Sequence, residues 1–347
     1  MRAAVLIIGC IVALVTTLFA YAGGWLTPQN LTPARFVNLL EQLSGPHVGY
    51  RRNHAKGICV TGTFTGNGQG AAFSRAAVFE NITVPVIGRF ALAGGLPEQA
   101  DSAKTVRSLA LQFMLPNGEE WRTGMNNIPV FPVKTPQEFY DQLAAGKPDP
   151  ATGKPNPALM KALVDTHPDM AAAMAIIKQR PISSGFDNAT YNALNTFIMV
   201  DTTGKETPVR WSLTPRQPYV AASANTSQQG KDYLFETLAA ALAKQPLQWD
   251  LTATLGMPED LPLPANKMWP DDRRHVQVGI LTLTGTTPET TGACRNINFD
   301  PLVLPAGIKP SADPLLSARS AVYAVSTRRR DGESTVPPAI KETPHHD

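Results

Sequence analysis

The sequence predicts a mixed α+β fold in which many short strands build a barrel or sandwich and helices pack around it. Three observations carry this reading. Apolar residues alternate along short runs that stop at turn residues, as in Ile58 to Phe64 before Gly66-Asn67-Gly68 and Leu109 to Phe113 before Pro116-Asn117-Gly118. The chain holds 31 prolines and 26 glycines in 347 residues, so it turns often and suits a loop-rich β architecture better than a helical bundle. Segments of helical period with capping residues separate the strands, and no internal repeat is visible.

The first element is apolar. Arg2 precedes an uncharged stretch from Ala3 to about Leu26, and no further charge occurs before Arg35. A positive N-terminus and an apolar middle fit a secretory signal with Ala20-Tyr21-Ala22 as its cleavage site, and the length equally allows an uncleaved spanning helix. Either way residues 1–26 form a signal or membrane anchor. Residues 27–330 are then expected to be exported, either periplasmic or anchored in the cytoplasmic membrane facing the periplasm. Cys59 and Cys294 can pair in an oxidising compartment, while a buried thiol at Cys59 fits its apolar strand as well.

From Leu31 to Ser44, Phe36, Leu39, Leu40 and Leu43 recur at helical spacing, with Thr32 as cap, Pro33 in the first turn and Gly45 past the end. Strand patterns follow at Ile58 to Phe64, Leu109 to Phe113, around Trp121, and at Phe197 to Val200 before Asp201-Thr202-Thr203-Gly204. More lie at Val209 to Leu213, Leu247 to Leu255 and Val276 to Leu283. Helices are expected after the capping box Thr135-Pro136-Gln137-Glu138, across Asn156 to Gln179, and over Tyr233 to Lys244. Residues 331–347 have too little apolar content to pack and read as a mobile tail in which His345 and His346 are solvated.

Composition narrows the function. A chain that is 43% hydrophobic and 17% charged has enough apolar content for a sizeable core and is not disordered. Its net charge of +3 is small, and no basic run interleaved with aromatics precedes Arg328-Arg329-Arg330, so nucleic acid is not the expected partner. His47, His167 and His275 show no spacing suited to a metal.

Chemistry concentrates in three separated segments. Arg319 and Tyr323 stand four residues apart, which on a helix stacks a guanidinium beside a phenol. Such a pair can hold a haem iron, because the cation favours the ionised phenol oxygen, although on spacing alone it describes a surface stacking contact too. Arg51-Arg52-Asn53-His54-Ala55-Lys56-Gly57 leads into the first strand, and Gly124-Met125-Asn126-Asn127-Ile128-Pro129-Val130-Phe131 follows the Trp121 strand. By themselves His54 reads as a strand histidine and Asn126 as a turn residue. Together with Asn298-Phe299-Asp300-Pro301 through Pro305-Ala306-Gly307-Ile308 to Tyr323, these segments resemble the haem catalases in order and content. Gly88-Arg89-Phe90, Thr105-Val106-Arg107 and Lys267-Met268-Trp269-Pro270 extend the likeness from about Arg51 to Arg330. The resemblance is to the short, often exported catalase-related peroxidases.

That resemblance implies an antiparallel β-barrel with helices outside it and haem b held between a distal strand and a proximal helix. It implies Tyr323 as the iron ligand with Arg319 as its partner, and His54 and Asn126 as the distal catalytic pair. Arg51, Arg89 and Arg330 match arginines near the haem propionates, and Phe131 and Phe139 match distal aromatics. An imidazole suits the task because its ordinary pKa lies near neutrality, so it can carry a proton between the two peroxide oxygens. The Asn126 amide can donate a hydrogen bond to the peroxide without competing for that proton.

Departures decide which reaction is expected. Asn53 stands where catalases carry an apolar residue, and Ala91 stands where they carry a serine, which predicts the loss of one hydrogen bond orienting His54. Lys104 replaces a channel aspartate and is expected to reverse the local field along a peroxide channel, and Pro132 replaces a distal phenylalanine. A less faithful channel favours a peroxidase that reduces hydrogen peroxide or small organic hydroperoxides with a small organic electron donor. The alternatives are a weak true catalase, a hydroperoxide isomerase on the same scaffold, or a non-enzymatic β-barrel ligand-binding module tethered to the membrane.

Overall fold

The computed structural model describes residues 2–22, 30–149, 151–223, 229–334 and 339–340. The apolar N-terminal segment forms helix α1 (Arg2–Ala22). Its window Ala4–Tyr21 has a mean hydropathy of 2.5, is long and apolar enough to cross a membrane, and is nowhere buried against the rest of the chain. Cys10 is an exposed free thiol on this helix. His345 and His346 lie outside the described residues.

The strands β1 (Gly57–Gly66), β2 (Thr83–Leu92), β3 (Arg107–Met114) and β4 (Glu120–Asn126) pair as an antiparallel meander. They are joined by β5 (Tyr191–Asn192), β6 (Phe197–Val200), β7 (Glu206–Pro215), β8 (Leu247–Leu255), β9 (Arg274–Pro288) and β10 (Ile308–Pro310). One sheet results, in the order β10-β6-β7-β5-β4-β3-β2-β1-β9-β8, and a further pairing of β7 with β8 closes it. Eight strands thereby form an antiparallel barrel, with β6 and β10 as an extension beyond β7. Closure leaves the ladder donors and acceptors of the barrel strands with partners on both sides, which an open sheet cannot do.

Alternation explains why these segments became barrel staves. In β8, Leu247, Trp249, Leu251, Ala253 and Leu255 are all buried while the residues between them are not. Phe113 stacks on Trp121 at 4.6 Å, and Trp121 meets Trp211 edge-on at 5.1 Å in the same core. Each such side chain contributes about 1.5–3 kcal/mol through burial, so truncating one would cost a large part of the folding free energy. At the β-bulge between Thr61 and Gly62, any side chain at 62 would collide with the Thr282 backbone, which is why glycine stands there.

Helices wrap the barrel where their caps predict. In α2 (Pro33–Ser44) the Thr32 hydroxyl accepts from the Arg35 amide at 3.2 Å, and in α3 (Pro136–Ala145) the Thr135 hydroxyl accepts from the Glu138 amide at 3.1 Å. The stretch from Asn156 to Gln179 is two helices rather than one, α4 (Pro157–Thr166) and α5 (Pro168–Gln179). Pro168 has no N–H to continue the first and disfavours helical backbone at His167, so it starts the second. Helix α6 (Tyr233–Lys244) lays Leu234, Phe235, Leu238 and Leu242 on the barrel, and α7 (Pro314–Asp331) is capped by Asp313, whose carboxylate accepts from the Leu315 amide at 2.9 Å.

An ionic lattice joins α2 to the end of α7. Arg329 donates to Glu41 and to Asn38, both at 2.7 Å, and Arg52 donates to Glu41 at 2.7 Å while also pairing with Glu333. Glu333 in turn accepts from the Gly49 amide at 2.6 Å, so the first residues of the expected tail are docked rather than loose.

Cys59 and Cys294 form a disulfide across a sequence separation of 235, which resolves the choice that the sequence leaves open. The bond ties β1 to the segment that follows β9. Replacing both cysteines by serine is expected to cost about 2–5 kcal/mol of unfolding free energy, the usual range for a native disulfide. Denaturant midpoints of the parent and the double variant that coincide would show that the bond adds nothing.

Candidate active site

A cavity of about 330 Å³ lies between the barrel and α2, α3 and α7. Arg51, His54, Arg89, Asn126, Phe131, Phe139, Arg319, Tyr323 and Arg330 all line it, although the sequence scatters them over 280 positions. On α7 the lining residues Arg319, Val322, Tyr323, Ser326, Thr327 and Arg330 recur at three- and four-residue steps, so one face of one helix supplies them. Asn126 is the last residue of β4 and is paired in register with Ser108 of β3, which is itself paired with Ala91 of β2.

His54 is held by an unusual loop. Its φ of 55° is the one positive value at a non-glycine residue among the described residues, and the Asn53 carboxamide oxygen accepts from its amide at 2.9 Å and from the Gly94 amide at 3.0 Å. Asn53 is therefore the clip that fixes this turn. Behind the loop the fully buried Lys56 donates to Asp101 at 2.6 Å. The Ser108 hydroxyl lies 3.1 Å from His54 Nδ1. Burial first, and then the charges of Arg89, Arg319 and Arg51, pull the imidazole down to about 3, against a hydrogen bond to the Leu92 backbone.

The arginines form a cationic cluster in which Arg89 and Arg330 are buried and Arg51 is half-buried. Arg51 donates to Glu289 at 3.0 Å and to the carbonyls of Cys294, Arg295 and Ile297 at 3.0, 3.3 and 3.2 Å. Arg89 donates to the other Glu289 oxygen at 2.7 Å and to the Ala55 carbonyl at 3.3 Å. A side chain at position 57 would run into the Arg89 guanidinium, which accounts for Gly57. Burial, with help from Arg89 and Arg330, lowers Arg51 to about 9; burial would raise Glu289, but Arg89 and Arg51 outweigh it and hold the carboxyl low. Arg330 is buried rather than a solvated helix end, whereas its neighbour Arg328 is exposed. Three guanidiniums against one carboxylate leave two positive charges unmatched, and Arg89 Nε and one terminal nitrogen of Arg330 have no partner. Such a cluster suits a ligand with two anionic groups.

Arg319 donates to Tyr323 at 3.4 Å, to the Gly124 carbonyl at 3.3 Å and to Asn195 at 2.6 Å, and Asn195 donates to the cap residue Asp313 at 2.8 Å. Asn195, Ser108 and Glu289 are site residues that the sequence reading missed. Phe131 and Phe139 meet edge-on at 4.9 Å, and Phe36 from α2 packs on Phe139 at 5.5 Å to complete an aromatic wall. Pro132 also lines the cavity. Lys104 does not: its side chain is exposed in the turn before β3.

A family model described as Catalase matches residues 23–337. A catalase-related peroxidase of Synechococcus elongatus is 38% identical over 87% of this chain and 89% of its own length. One from Mycolicibacterium paratuberculosis is 30% identical over 87% of this chain and 96% of its own. A solved bacterial catalase and a solved fungal catalase each superpose with a TM-score of 0.73, at 22% and 20% identity, over 82% of this chain and 58% and 60% of theirs. At those identities the structural likeness is one of fold.

A neutral, half-buried imidazole beside cations ties stability to pH. Because the folded value is depressed to about 3, the contribution of His54 is complete above the unfolded value of about 6.5 and is lost as pH falls toward the folded one. His54→Gln is expected to flatten the loss of stability between those limits. Equal acid sensitivity of parent and variant in urea unfolding would argue against this burial.

Proposed function

The chain belongs to the catalase family, and from that premise we propose that its cavity holds haem b in a peroxidase that reduces hydrogen peroxide or small organic hydroperoxides with a small organic donor. It is an oxidoreductase acting on peroxide, built on the catalase scaffold. One observation carries the haem reading: the cavity that contains the Tyr323 phenol and the His54 imidazole also contains two unmatched guanidinium charges, and haem b bears two propionates. The apolar, aromatic wall of Phe36, Phe131 and Phe139 would suit a porphyrin.

When bound, haem b supplies a ferric iron that takes up the oxidising equivalents of the peroxide and passes them to a donor one electron at a time. Tyr323 would hold the iron through its ionised oxygen, with Arg319 beside it as counter-charge and Asn195 fixing Arg319 in place. Arg51, Arg89 and Arg330 would take the propionates. His54, neutral at working pH, accepts the proton of one peroxide oxygen and returns it to the other, which leaves as water or an alcohol. Asn126 donates its amide N–H to the peroxide, and Phe131 and Phe139 keep bulk water from the site.

The place of action is inferred from two features. A free-standing apolar helix follows Arg2, and a disulfide links Cys59 to Cys294. Both favour export, with the domain periplasmic or anchored in the cytoplasmic membrane facing the periplasm.

The absorption spectrum of the full chain expressed with ample haem tests the reading. A Soret band is expected in the parent, and Tyr323→Phe is expected to lose or shift it; an unchanged spectrum would remove Tyr323 as ligand. His54→Ala is expected to keep the Soret band and slow reaction with peroxide by ~10²-fold or more. Oxygen evolution without added donor at rates matching donor oxidation would make the protein a catalase instead.

A further inference from the structure

Ala91 cannot supply the hydroxyl that the family places there, yet the His54 ring is not left without a partner. Position 91 faces Ser108 directly across the β2–β3 ladder, and directly opposed residues present their side chains on the same face. The Ser108 hydroxyl lies 3.1 Å from His54 Nδ1 and 3.4 Å from the Ala91 carbonyl. A carbonyl only accepts, so a Ser108 O–H directed to Ala91 leaves the hydroxyl oxygen with a lone pair for Nδ1. A neutral imidazole has one N–H, so a hydroxyl that gives its own proton to a carbonyl can only accept that one.

We propose that Ser108 is the positioning residue of His54, accepting a hydrogen bond from Nδ1–H and so leaving the Nε2 lone pair as the ring's only base. The loop geometry adds to this. Asn53 fixes the His54 backbone and Ser108 fixes its ring, so the side chain is held at both ends. This inference rests on the reading of His54 as the proton shuttle, and it specifies which nitrogen works.

Two measurements on the full chain test it. Nitrogen-15 NMR of histidine-labelled haem-free protein, with His54→Gln to assign the signal, is expected to show Nδ1 protonated and Nε2 unprotonated at neutral pH, and Ser108→Ala is expected to mix the tautomers. In the haem-loaded protein Ser108→Ala is expected to keep the Soret band and slow reaction with hydrogen peroxide about tenfold, the order for one lost positioning hydrogen bond. The double variant Ala91→Ser/Ser108→Ala, which returns the hydroxyl to β2, is expected to recover most of that rate. A parent His54 protonated on Nε2, an unchanged rate in Ser108→Ala, or a slow double variant would each overturn the proposal. Failure of the shuttle reading looks different: His54→Ala itself would then react with peroxide at the parental rate.

Discussion

Three guanidiniums, Arg89 and Arg330 buried and Arg51 half-buried, gathered near a single carboxylate are the constraint on which the rest of the site depends. Removing charges from water costs several kcal/mol per ion unless partners are supplied, and here Glu289 supplies one negative charge where three positive ones converge. The fold then holds the cluster together from several directions. Gly57 clears space for Arg89, three carbonyls from residues 294–297 cradle Arg51, and the last buried turn of α7 brings Arg330. The disulfide stands at the start of that carbonyl run, so a covalent bond to β1 keeps the Glu289 segment against the arginines. A cluster so placed, with donors still unpartnered, describes an anion site before any family is named.

Much of the barrel was legible because its information is local. Alternation at Leu247 to Leu255 and the turns after Phe64 and Phe113 lie within single segments, as do the caps Thr32 and Thr135 and the Arg319-Tyr323 step. The helical stretch from Asn156 to Gln179 failed for a local reason as well, since its Pro168 was available to break it. The sheet order was not readable. Closure by β7 and β8, and the passage of β9 between β1 and β8, are set by pairings far apart in the chain.

The candidate site divides in the same way. Residues that bring chemistry carried family-like motifs around them, and the structure gathers them into one cavity. Residues that orient the chemistry carried no local signal. Glu289 meets Arg89 across 200 positions, Asn195 meets Arg319 across 124, and Ser108 meets His54 across 54. Each is a lone polar residue in a strand end or turn, a context in which solvated polar side chains are ordinary. Lys104 shows the opposite case: its charge is conspicuous in the sequence, and the turn before β3 leaves it exposed and outside the cavity lining.

The cationic cluster and the imidazole are coupled through their common field. Arg89 and Arg51 are among the charges that depress His54, and they are also the groups most ready to receive an anion. An anion bound to them offsets their charge and makes His54 more basic; by linkage, a proton on His54 strengthens the field that attracts the anion. Burial is nevertheless the largest cause of the depression and is not relieved by an anion elsewhere in the cavity. The ring therefore stays below the ordinary histidine range, neutral at pH 7, whether or not the arginines are occupied. What occupancy changes is the strength of a base that is already in the right protonation state, which leaves the orientation of its free nitrogen as the remaining variable that the protein must control.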